Sequence, residues 1–137
     1  MTLGLLVAFV VATCGSPAGT QFRTELPNAG YDPLPLVLYD ETGLVIGIEP
    51  AEPNPDAGLN AVVEADPGDP DAFIVSWFGG LCDEVAELFL RPSESTLFLH
   101  LEVPQGTNCP AMAVRRALRI RTSSPIPEES IVVTGGG

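Results

Sequence analysis

His100 is the only histidine of the 137-residue chain, so a catalytic triad or a usual zinc site would have to use it. It lies in the stretch STLFLHLEV, where apolar and polar residues alternate and predict a strand. His100 and Glu102 fall on the polar side of that strand, opposite Leu99 and Leu101. The sequence offers no second histidine and no G-x-S-x-G nucleophile motif. We therefore interpret His100 as a solvent-facing strand residue and expect no catalytic residue, no metal and no cofactor.

The carboxylates outnumber the basic residues, 18 to 6, which gives a net charge of −12. This balance argues against binding to nucleic acid. Asp66, Asp69 and Asp71 lie close together and offer the oxygen ligands that calcium prefers. Their spacing matches no EF-hand, and Asp-Pro and Pro-Gly-Asp are common in turns, so we interpret the segment as a turn. A carboxylate pair for glycoside hydrolysis remains the alternative, because any fold can bring distant acids together.

The basic residues are all arginines, and four of them fall in the stretch AVRRALRIRT. Val114, Leu118 and Ile120 share one face of the predicted strand, which Arg116 interrupts. The other three arginines, Arg115, Arg119 and Arg121, share the opposite face. We expect this cluster to neutralise neighbouring acidic strands, with recognition of a phosphate or carboxylate group as the alternative.

Cys14 follows an apolar run, Leu3–Ala12. That run is shorter than the roughly 20 residues of a membrane-spanning helix, and it fits the apolar region of a secretory signal. The stretch VATC resembles a bacterial lipobox, with Val11 in the aliphatic place and Cys14 as the acylated thiol. Thr13 departs from the usual small residue before the cut. The resemblance implies a lipoprotein anchored to the membrane through Cys14. The alternative is an ordinary signal cut after Ala18 and secretion.

If Cys14 is lipidated or removed, two cysteines remain, Cys82 and Cys109. Two cysteines in an exported domain most simply form one disulfide. A hairpin folded about the turn PSE places Cys82 a few residues from Cys109, so we predict a Cys82–Cys109 disulfide.

The elements that must position these residues are short strands. We expect a signal peptide at 1–14, a flexible linker at 15–30 and one β-domain at 31–137. About eight apolar stretches, separated by Pro- and Gly-rich turns, predict an all-β chain. An immunoglobulin-like β-sandwich is the first interpretation and a small β-barrel the alternative. The turn DETG predicts a hairpin between the first two stretches of the domain, with Gly43 free to adopt a positive φ.

The stretch VSWFGGLCDE adds Trp77, Gly79 and Gly80, where we expect a buried tryptophan and a turn or bulge. With the two cysteines and the late arginine-rich strand, it resembles small uncharacterised exported β-domain proteins of bacteria, many of them lipoproteins. The resemblance covers about Ala72–Thr122 and implies a location in the cell envelope. We expect a non-catalytic binding or structural module, with an envelope protein or small ligand as its partner. We expect its binding site in the turn loops at one end of the sandwich, which are EPAEPNPDAG, DPGDPD and PQGTNCP. A small secreted hydrolase is the alternative.

Overall fold

The strands of this chain follow from alternating apolar residues between Pro- and Gly-rich turns. The computed structural model describes residues 19–28, 30–56, 60–104 and 113–135. Within these residues the strands are β1 (Thr20–Leu26), β2 (Leu34–Asp40), β3 (Val45–Pro50), β4 (Val62–Ala65), β5 (Ala72–Gly80), β6 (Ala86–Ser93), β7 (Thr96–Glu102), β8 (Ala113–Thr122) and β9 (Ile131–Gly135). A single 3-10 turn, Glu128–Ser130, precedes β9. No helix in the described ranges is long and apolar enough to cross a membrane.

The strands form two open sheets. The five-stranded sheet has the order β1-β2-β6-β7-β9, and the four-stranded sheet has the order β3-β8-β5-β4. The β2–β6 and β7–β9 pairs are parallel, and the other pairs are antiparallel. The prediction of an all-β chain is confirmed. The β-barrel alternative is wrong, because neither sheet closes on itself.

The core lies between the two sheets, where each strand presents alternate residues inward. The five-stranded sheet contributes a leucine-rich layer, and the four-stranded sheet contributes a layer that includes the predicted buried tryptophan. The fully or almost fully buried members include Leu36, Leu38, Leu88, Leu90, Leu99, Phe73, Val75, Trp77, Leu118 and Ile120. Truncating one such leucine to alanine destabilises a domain by about 2–5 kcal/mol. The outer faces are therefore the surfaces left for function.

The predicted linker at 15–30 is wrong for its described part, because Thr20–Leu26 forms β1 at the edge of the five-stranded sheet. The strand turns Phe22 and Leu26 towards the core and leaves Arg23 exposed. Its alternation is short and mostly polar, which is common in edge strands. The β-domain therefore includes residues well before Tyr31.

The predicted hairpin at DETG is also wrong, because β2 and β3 belong to different sheets. Asp40 shapes the connection: its Oδ1 accepts a hydrogen bond from the Thr42 amide (2.8 Å) and its Oδ2 accepts one from the Val45 amide (3.0 Å). Gly43 has φ 75°, as predicted. The buried Asp40 carboxylate replaces the hairpin ladder and directs the chain from one sheet to the other.

Candidate functional site

The outer face of the five-stranded sheet carries a row of rings at one level of the ladder. The register places Tyr39 of β2 beside Phe89 of β6, Phe89 beside His100 of β7, and His100 beside Thr134 of β9. We call Tyr39, Phe89 and His100 the aromatic row. Because successive residues point to opposite faces, all three rings stand on the side away from the core.

The rings of the aromatic row contact one another. The centroids of Tyr39 and Phe89 are 4.8 Å apart with planes at 9°, which is a stacked pair. Those of Phe89 and His100 are 6.5 Å apart at 36°. The guanidinium of Arg91 lies 5.5 Å from the Phe89 centroid, within the range of a cation–π contact. The row is thus a rigid surface rather than a set of independent side chains.

His100 is oriented from two sides. Its Nδ1 lies 2.9 Å from Thr134 Oγ1, and its Nε2 lies 3.4 Å from Glu102 Oε1. Its side chain remains 42% exposed, so the prediction of an outward-facing strand residue is confirmed. Two partners, one at each ring nitrogen, hold the imidazole in one orientation beside the rings.

Two carboxylates meet on this face, since Glu87 of β6 lies directly opposite Glu102 of β7. Like charges opposed across a ladder are unfavourable unless each has a partner. Tyr39 donates a hydrogen bond from its hydroxyl to Glu87 Oε2 (3.1 Å), and His100 lies beside Glu102. The hydrogen bond to Glu87 raises the pKa of Tyr39 above its ordinary value, and the negative charge of Glu87 adds to the effect.

Next to the aromatic row the face opens into a groove of about 470 Å³. Phe98 of β7 and Val132 of β9 are cross-strand neighbours here, and each is 39% exposed. The residues that line the groove are Phe89, Arg91, Pro92, Ser93, Phe98, His100 and Thr134. Binding sites for small ligands range from about 300 to 1,000 Å³, so the groove has the size of a binding site.

The arginines of β8 do not form one basic patch. Arg119 pairs with Glu49 on β3 (2.8 Å) and with Asp66 (2.8 Å). Arg115 lies 4.9 Å from the centroid of Phe78. The two contacts of Arg119 agree with the expected neutralisation of acidic neighbours.

Arg116 points the other way, into the interior, where its side chain is 0% exposed. Its Nη2 donates to the Gly80 carbonyl (2.7 Å) and lies 3.5 Å from Asp83 Oδ2, which also accepts from the Gly80 amide (2.9 Å). Burial lowers the pKa of Arg116, and the charge of Asp83 opposes that shift. The sequence showed only an interruption of the apolar face at Arg116. Arg116 lies two residues before Leu118, so the two share a face of the strand, and this spacing was the sequence signal that Arg116 points inward.

Gly79 makes room for this buried pair. It lies within β5, and the turn or bulge expected at the two glycines is not what the structure shows. A Cβ at Gly79 would overlap Asp83 Oδ2 and lie 2.8 Å from Arg116 Nε. The glycine is therefore explained by the close approach of two charged side chains.

The acidic loop after β4 is built from its own hydrogen bonds. Asp66 Oδ1 accepts from the Gly68 amide (2.9 Å), and Asp69 Oδ1 accepts from the Asp71 amide (2.9 Å). The interpretation of this segment as a turn is confirmed. In the part of the chain that the structure describes, no group of three or more His, Cys, Asp or Glu side chains is placed to hold a metal ion.

Of the predicted cysteine sites, Cys82 lies in the connection between β5 and β6, whereas Cys14 and Cys109 lie outside the described residues. The Glu84 amide donates to the Pro104 carbonyl (3.4 Å), which keeps the segment after Cys82 beside the end of the β7 segment. The Cys82–Cys109 disulfide and the lipidation of Cys14 stay predictions.

Comparison of the chain with protein-family models, with curated proteins and with solved structures gives no match.

Proposed function

We propose that this protein is a binding module of the bacterial cell envelope, anchored to the membrane through Cys14, that performs no chemistry. Its binding surface is the groove beside the aromatic row. The observation that carries the proposal is an exposed Phe98 next to oriented polar groups on the outer face of a sheet. A sheet face that is in contact with solvent is usually polar, so aromatic rings there need a reason other than folding.

Exposed apolar area is the first argument for binding. Phe98 and Val132 are neighbours, and Phe89 lines the same groove. Adjacent exposed apolar residues in a groove mark interaction sites more often than isolated ones do. A rigid sheet holds these side chains in place before a ligand arrives, which lowers the entropy cost of binding.

This proposal moves the binding site from the loops to a sheet face. Asp66 is buried and paired with Arg119, and Asn54 uses its amide nitrogen to donate to Glu64 (2.9 Å). Asp66 and Asn54 in those loops thus serve internal contacts. Most of the third expected loop, PQGTNCP, lies outside the described residues.

The position at which β1 starts limits the distance between a lipid on Cys14 and the folded domain. Thr20 is the first residue of β1, so the sequence between Cys14 and the sheet is only Gly15–Gly19. Fully extended, such a segment reaches at most about 17 Å. A lipid on Cys14 would therefore hold the sandwich close to the membrane, with the turn after Asp40 at the near end, because Thr20 pairs with Asp40.

The experiment measures retention of the protein by isolated envelopes, in a Cys14→Ala background that removes the proposed anchor. We expect retention of the parent and of an Ile46→Ala control, which truncates a side chain 56% exposed on β3 in the other sheet. We expect Phe98→Ala to be released. Equal retention of the two variants would contradict the proposed surface.

The anchor has its own measurement. We expect the parent protein to partition into the detergent phase and to show a mass gain from acyl chains at Cys14, since stable anchoring requires more than one chain. Cys14→Ala should move it to the aqueous phase. A variant that partitions like the parent would contradict the lipoprotein assignment.

A hydrolase is the second candidate function, favoured by the opposed pair Glu87 and Glu102. Two carboxyl groups about 5–10 Å apart are the usual machinery of glycoside hydrolysis. A screen with glycoside substrates tests the hydrolase: turnover that is lost in both Glu87→Gln and Glu102→Gln would show that the protein is an enzyme rather than a binding module.

For the fold, an immunoglobulin-like strand arrangement stays a prediction.

A further inference from the structure

We propose that the groove beside the aromatic row binds a neutral saccharide, with Phe98 packing against a sugar ring. The inference rests on the proposed function and names the ligand class for the same site. A pyranose ring has C–H groups on its faces and hydroxyl groups around its edge. A site for it needs an exposed aromatic ring with hydrogen-bonding side chains beside it.

The groove has both parts. Phe98 exposes 39% of its surface on the outer face, in register with Arg91 of β6 and Val132 of β9. His100 and Thr134 lie one pleat away on the same strands, 2.9 Å from each other at Nδ1 and Oγ1. The Thr134 hydroxyl, which makes one hydrogen bond to His100 and can make another, and the ring of Phe98 match the hydroxyl edge and the C–H face of a sugar.

Arg91 supplies further donors. Its Nε donates to Glu41 Oε2 (2.7 Å), and this contact does not use the two Nη groups. The Phe89 ring also contacts this guanidinium, with its centroid 5.5 Å from Arg91 Cζ. A guanidinium held in this way offers donors in a fixed geometry, which suits hydroxyl or carbonyl oxygens of a ligand.

The charges around the groove favour a neutral ligand. Arg91 is paired with Glu41, and His100 lies 3.4 Å from Glu102, so each basic group already has a carboxylate beside it. The net charge of −12 repels polyanions. A polyanionic glycan or nucleic acid would therefore bind less well than an uncharged oligosaccharide.

The groove lies over inner strands of the sheet, which argues against an extended peptide as its ligand. Peptides that add a strand need a free sheet edge, whereas β6 and β7 are paired on both sides, to β2 and to β9 as well as to each other. A purely apolar ligand would remove water from Arg91 and Thr134 and leave each with only its one hydrogen bond within the protein, which is unfavourable. The side chains of this face thus select a ligand that is apolar on one surface and hydroxylated at its edge.

The test titrates the full-length protein with short soluble oligosaccharides of glucose, mannose, xylose and N-acetylglucosamine, and with an oligogalacturonate as the charged comparison. Amide chemical shifts report the site. We expect a neutral member to shift the signals of His100 and Thr134. Phe98→Ala should raise its Kd about tenfold or more, because one lost aromatic contact is worth of the order of 1.4 kcal/mol.

Phe98→Tyr keeps the ring and should bind like the parent, and Ile46→Ala is the matched control on the other sheet. Unfolding midpoints of all variants separate loss of binding from loss of folding. The inference is overturned if no neutral saccharide binds, if Phe98→Ala binds like the parent, or if the oligogalacturonate binds most tightly. If envelope retention still depends on Phe98 in that case, the proposed function stands and only the saccharide is wrong.

Discussion

The buried pair of Arg116 and Asp83 allows a quantitative prediction about stability. Their side chains are 0% and 1% exposed. In Asp83→Ala the guanidinium keeps only its bond to the Gly80 carbonyl, and the Gly80 amide loses its acceptor. Removing one partner of a buried ion pair destabilises a protein by about 3–5 kcal/mol, because the remaining charge is buried without compensation.

The reciprocal and double variants isolate that cause. Arg116→Met leaves Asp83 with the Gly80 amide as a partner, so we expect a loss towards the lower end of that range. The double variant Asp83→Ala/Arg116→Met buries no charge, and a buried pair replaced by apolar groups is often close to neutral. We therefore expect the double variant to be more stable than Asp83→Ala by roughly 2 kcal/mol or more.

Urea unfolding followed by the fluorescence of Trp77, the only tryptophan, measures these differences. With a urea m-value of about 1–3 kcal/mol/M, a loss of 3–5 kcal/mol lowers the midpoint by roughly 1–5 M. Glu41→Ala is the matched control, because it breaks the exposed pair with Arg91 and should cost about 1 kcal/mol or less. If the stability lost in the double variant equals the sum of the losses in the two single variants, an uncompensated buried charge is not the cause.

Three further predictions concern other contacts. Gly79→Ala should destabilise the domain by about 1–3 kcal/mol, because its Cβ overlaps the buried charged pair; an unchanged urea midpoint would contradict this. Glu87→Ala should lower the pKa of Tyr39 towards its ordinary value, because the carboxylate holds the phenolic proton; spectrophotometric titration of tyrosinate measures it. Since the folded pKa of Tyr39 is the raised one, the contribution of this hydrogen bond to stability is present below about pH 10 and is lost as the pH rises through that folded pKa. The natively exported protein should lack free thiols at Cys82 and Cys109, and reduction should cost about 3–4 kcal/mol for a loop of about 28 residues; two titratable thiols there would disprove the pairing.

The core strands could be read from sequence because alternation with a period of two is a local property. In β7, Leu99 and Leu101 point inward while His100 and Glu102 point outward, as their spacing required. Each of the predicted apolar stretches overlaps one strand of the structure, from β2 to β9. The edge strand β1 was missed because its inward residues, such as Phe22, are few and lie among polar ones.

The candidate site could be found only in part from sequence. His100 was placed on an outer face correctly, but its neighbours Tyr39, Phe89 and Thr134 come from three other strands. Which strands adjoin depends on pairings between residues far apart in the chain, and local periodicity carries no information about them.

The sequence by itself determined which side chains of β7 point inward and which apolar side chains of β8 share one face, because successive residues of a strand point to opposite faces and apolar surface is removed from water. Only the tertiary structure decided that β2 joins β6 in parallel, and hence that Tyr39 stacks on Phe89. It also decided that Arg116 is buried against Asp83, where the sequence showed an interruption of an apolar face. Both outcomes depend on the order and register of strands, which the summed contacts of the whole sandwich select.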